Sequence, residues 1–348
     1  MMKKQTPLFS LLSVSAILTF SLACVTLLGE PDSDITTPVI PIMIETVIPT
    51  VPESLTCPVI TNKIINANSP QFESGGEATD FGKDESAEPV YLVTYNIDKE
   101  ALIEPHFYDD ISNDLREKQN NFETHQQIWN YFSTLIPYEF RPQLKEFSIF
   151  TDGESNILAA VAQTTTDPKL WGLEVDFADI SDYYYLSFTL VHEYAHLLTL
   201  APSQVPPSLA IFNNPDDNNI YLEEISACNT FHPGEGCSNP DSYINQFYER
   251  FWTGIYEEWN EINLEEDQDL YYEKLDDFYY KYKDQFLTDY AATHLAEDMA
   301  ETFGFFVFAE KPDGNSIAEQ KILFFYEYPE LVALRTEILN NLCKVFPE

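Results

Sequence analysis

"VHEYAHLLTLAP", Val191–Pro202, places two histidines four residues apart with a glutamate directly after the first. Together with the residues before it, the run "YYLSFTLVHEYAHLLTL" (Tyr184–Leu200) is almost wholly apolar, which predicts a long and largely buried helix. On such a helix His192 and His196 lie about one turn apart, so both imidazoles point the same way and can share one metal ion. Glu193 is rotated about 100° from His192. It can reach a water on that metal without being a ligand. Zn²⁺ is the ion this pattern suits: it would lower the pKa of the water while Glu193 removes the proton.

Two histidines are one ligand short of the three that a catalytic zinc takes from its protein. Thr199 and Pro202 stand where the metzincin pattern has glycine and histidine, which excludes that class. The other histidines are His106, His125, His232 and His294. His125 falls on the apolar face of a predicted helix between Leu115 and Leu135 and reads as a core residue. His232 lies in "CNTFHPGEGC" (Cys228–Cys237) and reads as an exposed loop residue. Further on, "HLAEDMAETF" (His294–Phe303) offers Glu297, Asp298 and Glu301. Glu297 and Glu301 are four apart and share a helical face, from which Asp298 is turned away. One of the pair can ligate zinc while the other orients a histidine. Acids are common in this chain, but this pair borders the apolar run "MAETFGFFVF" (Met299–Phe308), whose helix must be buried.

The segment "LTDYAATHLAEDMAETFGFF" (Leu287–Phe306) resembles the corresponding region of the anthrax lethal factor type of zinc metalloprotease, a gluzincin, and its bacterial relatives. In that family a Tyr, then a Thr three residues on, precede Glu-x-x-Ala-Glu and an aromatic residue. Tyr290, Thr293, Glu297, Ala300, Glu301 and Phe303 take those places, and His192, Glu193 and His196 match the upstream H-E-x-x-H. The resemblance implies that Glu297 is the third zinc ligand, Glu301 its support, and Tyr290 a catalytic helper that stabilises the oxyanion or protonates the leaving amine. It covers two short motifs and the order of elements between them. The sequence departs from the family at His294, where Asn is frequent. Thr293 reads as the N-cap of the helix bearing Glu297, which places Tyr290 in the loop entering it.

Upstream, "VYLVTYNI" from Val90 is the first convincing strand, followed by "EFSIF" after Pro142, "NILAAVAQTTT" and "LWGLEVDF". The C-terminal half reads as helices: one stripe of Ile244, Phe247, Phe251, Ile255 and Trp259, another of Leu275, Phe278, Tyr282 and Phe286, then the Glu297 helix and a last helix interrupted at Pro329. Strands first and helices later indicate an α+β domain, a small N-terminal mixed sheet with the active-site helix and a helical C-terminal part, zincin-like by the resemblance. The strand "NILAAVAQ" is the natural edge against which a peptide or protein substrate would lie antiparallel.

The chain has 348 residues and a formal net charge of -40, with only 18 Lys and Arg. Such a balance excludes nucleic acid as a partner, since phosphate recognition needs basic clusters. Residues 1–24 form an export signal: Lys3 and Lys4, then the apolar "PLFSLLSVSAILTFSLAC" ending at Cys24, where a bacterial lipoprotein is acylated. A cleaved signal or a single-span anchor are the alternatives, and each puts the rest outside the cytoplasm. Residues 25–89 are rich in Pro, Thr and acid and read as a disordered tether. Residues 90–348 read as the zinc metalloprotease domain, a monomer. Four cysteines besides Cys24 suggest disulfides, with Cys228–Cys237 and Cys57–Cys343 the favoured pairs. Two other functions fit the same residues: a zinc-binding surface lipoprotein without turnover, and a zinc amidase acting on cell-wall peptides.

Overall fold

A computed structural model describes residues 57–69, 89–153, 157–265 and 267–346. The export signal, with Cys24, lies outside the described residues, as does most of the stretch read as a tether. Five strands form one sheet: β1 (Val90–Asp98), β2 (Ala101–Phe107), β3 (Leu144–Thr151), β4 (Ala159–Gln163) and β5 (Trp171–Asp176), in the order β2-β1-β3-β5-β4. Only β3 and β5 run parallel; the other neighbours are antiparallel. β2 escapes a reading of the sequence because its residues face solvent almost throughout, so it carries no apolar alternation. It returns from β1 through a two-residue turn at Lys99 and Glu100, with Lys99 at φ 56°.

Twelve α-helices accompany the sheet among the described residues: α1 (Pro58–Asn68), α2 (Leu115–Gln119), α3 (Phe122–Leu135), α4 (Tyr183–Thr199), α5 (Leu209–Asn213), α6 (Asn218–Ala227), α7 (Tyr243–Phe247), α8 (Tyr256–Ile262), α9 (Gln268–Tyr282), α10 (Leu295–Phe308), α11 (Ile317–Phe325) and α12 (Pro329–Val345). The protein is therefore mixed α+β. The single helix expected over 115–135 is broken at Asn121, whose side chain accepts from Thr124 N–H and caps α3 afresh. The stripe from Ile244 to Trp259 is likewise divided. At its centre Thr253 N–H bonds to Tyr248 O five residues back, a wide turn that ends before α8.

One correction concerns where the folded unit begins. Residues 58–68 fall in the stretch read as tether, yet they form α1, which packs against α4 and α10 with Ile64 fully buried. Pro58 at the first turn starts this helix. The disulfide Cys57–Cys343, with Cα atoms 5.6 Å apart, ties it to α12. Cys228 and Cys237 form the second disulfide. Both favoured pairings are thus present, and disulfides are compatible with an oxidising, extracytoplasmic location. No helix among the described residues is long and apolar enough to cross a membrane.

The core lies between α4 and the sheet on one side and between α4 and α10 on the other, with Val191, Leu197, Met299, Phe303 and Phe306 wholly buried. Asp182 starts α4 by accepting from the N–H groups of Tyr184 and Tyr185. The two helices approach closely at Gly304, where a Cβ would stand 2.7 Å from the Phe188 ring. A larger residue there would push α10 away from α4. His125 is the core residue expected: Tyr95 Oη lies 2.8 Å from its Nδ1, its Nε2 is 3.0 Å from the Lys118 carbonyl, and burial holds its pKa below the usual value.

Candidate metal centre

The middle of α4 carries His192, Glu193 and His196, all buried although polar. Helical spacing turns both imidazoles toward the first turn of α10, where Glu297 sits. His192 Nε2 is 3.0 Å and His196 Nε2 is 3.3 Å from the same Glu297 oxygen, and the two nitrogens are 3.2 Å apart. Three donor atoms therefore converge on one point. Ligands about 2.0–2.1 Å from a tetrahedral zinc would stand about 3.3 Å from one another, so the triangle is the right size for such an ion. This is the one group of its kind among the described residues, and it is close enough to hold a metal ion.

Glu301 lies one turn beyond Glu297, on the same face of α10. It is bonded to His192 Nδ1 at 2.9 Å and accepts from Thr288 Oγ1 at 2.8 Å. With Glu301 accepting from Nδ1–H, the neutral form of His192 presents its Nε2 lone pair to a cation. Thr288 is not singled out by the sequence. Its one sign is position, two residues before Tyr290 in the loop that enters α10.

The carboxylates and histidines tune one another strongly. Burial opposes charge on His192, but its bonds to Glu297 and Glu301 outweigh that and raise its pKa well above the usual value. Glu297 is also penalised by burial, yet His196 and His192 hold it well below the usual carboxylate range. The site is built to keep Glu297 ionised. Glu193 is different: burial pushes it up to about 7, against the pull of the two histidines. The Val161 N–H of β4 faces it and favours its charged form.

Tyr290 is half-exposed, with its ring 6.0 Å from that of His192. Its hydroxyl faces Glu297, whose negative charge is the largest of the causes that raise the phenol well above its ordinary pKa. The phenol thus stays protonated and able to donate. Thr293 does not cap α10, contrary to the sequence expectation. His294 does, its Nδ1 accepting from Ala296 N–H at 3.1 Å, while Thr293 Oγ1 bonds back to Tyr290 O. Asp298 points away from the pair, as helical spacing requires, and meets Lys321 Nζ at 2.6 Å and Trp252 Nε1 at 2.7 Å.

His232 is a second correction. The sequence puts it at the surface of the Cys228–Cys237 loop, but it is 8% exposed and burial pushes its pKa down to about 4. The loop folds inward because Asn245 Oδ1 accepts from Phe231 N–H, and Phe231 packs on Tyr248. Glu235, in the same loop, is also unmarked in the sequence; its carboxylate lies within electrostatic reach of His196 and Glu297. The strand order leaves β4 at an edge of the sheet, beside α4. Set against known protein families, curated proteins and solved structures, the chain has no match.

Proposed function

We propose that this chain is an extracytoplasmic zinc metallopeptidase of the gluzincin type, with a zincin-like domain similar to that of the lethal factor group. The observation that carries this reading is the convergence of His192, His196 and Glu297, with Glu193 beside them and the edge strand β4 alongside. His192 Nε2, His196 Nε2 and Glu297 would hold Zn²⁺. Bound there, the ion supplies a Lewis acid that polarises a carbonyl and acidifies a water.

The chain's own groups do the rest. The outer edge of β4 takes an extended peptide antiparallel, fixing the scissile bond over α4. Glu193, drawn up toward neutrality by burial, accepts the proton of the attacking water and returns it to the departing amine nitrogen. The carbonyl carbon gains the water oxygen as its bond to nitrogen breaks. Tyr290, kept protonated by Glu297, donates a hydrogen bond to the carbonyl oxygen as negative charge grows on it. Glu301 and Thr288 hold His192 in one orientation throughout. The apolar start of the chain and Cys24 would place this domain at a membrane surface on a lipid anchor.

Glu193→Gln tests the reading, because it keeps the shape of the side chain and removes the base. The variant should bind zinc like the wild type and lose about 10²–10⁴-fold in peptidase rate on protein and peptide substrates. Undiminished peptide hydrolysis by this variant would refute the mechanism. Hydrolysis of peptidoglycan cross-links alone, in a parallel incubation, would move the substrate class to cell-wall amides.

A further inference from the structure

The loop closed by Cys228–Cys237 carries two polar side chains with buried atoms that the proposed mechanism leaves unused. Both ring nitrogens of His232 and Oε2 of Glu235 are buried without a hydrogen-bond partner. Their position is closely held. Ser208 N–H donates to Glu235 O at 2.8 Å, and a Cβ at Gly236 would stand 2.2 Å from Pro206 O, so the loop lies tight on the chain that leaves α4. At its other end the Phe231 ring is 6.4 Å from that of His294, the cap of α10. The loop thus lies between the segment that follows α4 and the cap of α10.

A buried carboxylate oxygen with no donor is costly, and such a group persists where another state of the protein gives it a partner. His196 has the matching need. A metal-bound imidazole is neutral and offers its second N–H, which in metal sites goes to a carboxylate or carbonyl. For His192 that acceptor is Glu301. At His196, Nε2 faces Glu297, and among the described residues Nδ1 forms no hydrogen bond. Glu235 is the carboxylate within electrostatic reach that is not already committed to the centre.

We propose that Glu235 is the positioning carboxylate of His196 in the metal-loaded protein, the counterpart of Glu301 for His192, and that the Cys228–Cys237 disulfide fixes the loop that delivers it. The assignment rests on the metal-centre reading. On this assignment the short disulfide loop holds the second acid beside α4, where α4 and α10 themselves supply only one. The full chain, its zinc affinity measured by chelator competition, tests this alongside the melting temperature of the metal-free form. Glu235→Leu should weaken zinc binding about 10–100-fold, and Glu235→Gln, whose amide oxygen still accepts, should lose less. The metal-free melting temperature should hold or rise in both, because a carboxylate with one buried, unpartnered oxygen has been removed. Zinc affinity within twofold of wild type in Glu235→Leu refutes the assignment, and so does a loss that runs parallel to a falling metal-free melting temperature. A wild-type chain that takes up no zinc refutes the metal centre itself, and the role of Glu235 with it.

Discussion

Glu301→Ala against Glu297→Ala separates the two acids of α10 by their chemistry. Glu297 offers an oxygen to both histidine nitrogens that face it, at 3.0 and 3.3 Å, whereas Glu301 touches only His192 Nδ1 and Thr288. Losing Glu301 leaves all three donor atoms in place but frees the His192 ring and lowers its basicity. Acceptors of this kind are worth about 10–100-fold in metal affinity, or about 1.4–2.8 kcal/mol. Losing Glu297 removes a donor atom outright, so its deficit must exceed that range. Glu301→Ala also strands the Thr288 hydroxyl, a cost of about 1–3 kcal/mol to the fold where no water replaces the lost acceptor. Zinc affinity is therefore measured by competition with a chromophoric chelator well below the melting temperature, with metal-free melting recorded alongside. Glu301→Gln, which keeps an acceptor, should fall between wild type and Glu301→Ala. If Glu301→Ala abolished zinc binding while Glu297→Ala kept it, the assignment of ligand and support would be reversed. Affinities within threefold of wild type in both variants would place the metal elsewhere.

Three further outcomes follow from buried groups outside the ligand set. Lys321→Met should destabilise the fold by about 3–5 kcal/mol in chemical denaturation, because Asp298 is left as a fully buried charge, and Asp298→Asn in the same chain should recover most of the loss. His232, its folded pKa depressed from 6.5 to about 4, stabilises the metal-free protein above pH 6.5 and loses that contribution as pH falls toward 4. His232→Phe should flatten the fall in melting temperature between pH 7 and pH 4.5 by an amount worth up to about 3 kcal/mol, and an unchanged slope would show that His232 is not held neutral. Replacing Cys57 and Cys343 by Ser opens a link between residues 286 apart and should lower stability by about 2–5 kcal/mol while leaving zinc affinity unchanged. A parallel loss of zinc would mean that α1 supports the site directly.

Relations that depend on local spacing were legible in the chain alone. A 3.6-residue period puts His192 and His196 on one face, pairs Glu297 with Glu301 and turns Asp298 away, and each of these relations is present in the structure. The apolar runs likewise announce α4 and α10 as buried helices, and alternation announces β1. Contacts between distant segments leave no periodic trace, and these needed the fold. Glu297 meets both histidines only because α10 approaches α4 closely, at a distance set by Gly304 against Phe188. The Cys228–Cys237 loop turns inward, burying His232 and Oε2 of Glu235, because Asn245 and Gly236 hold its backbone, although His232 reads as surface. Recruitment of α1 from a Pro-rich stretch has the same origin: packing on α4 and a disulfide to the far end of the chain order that helix, and its own composition does not.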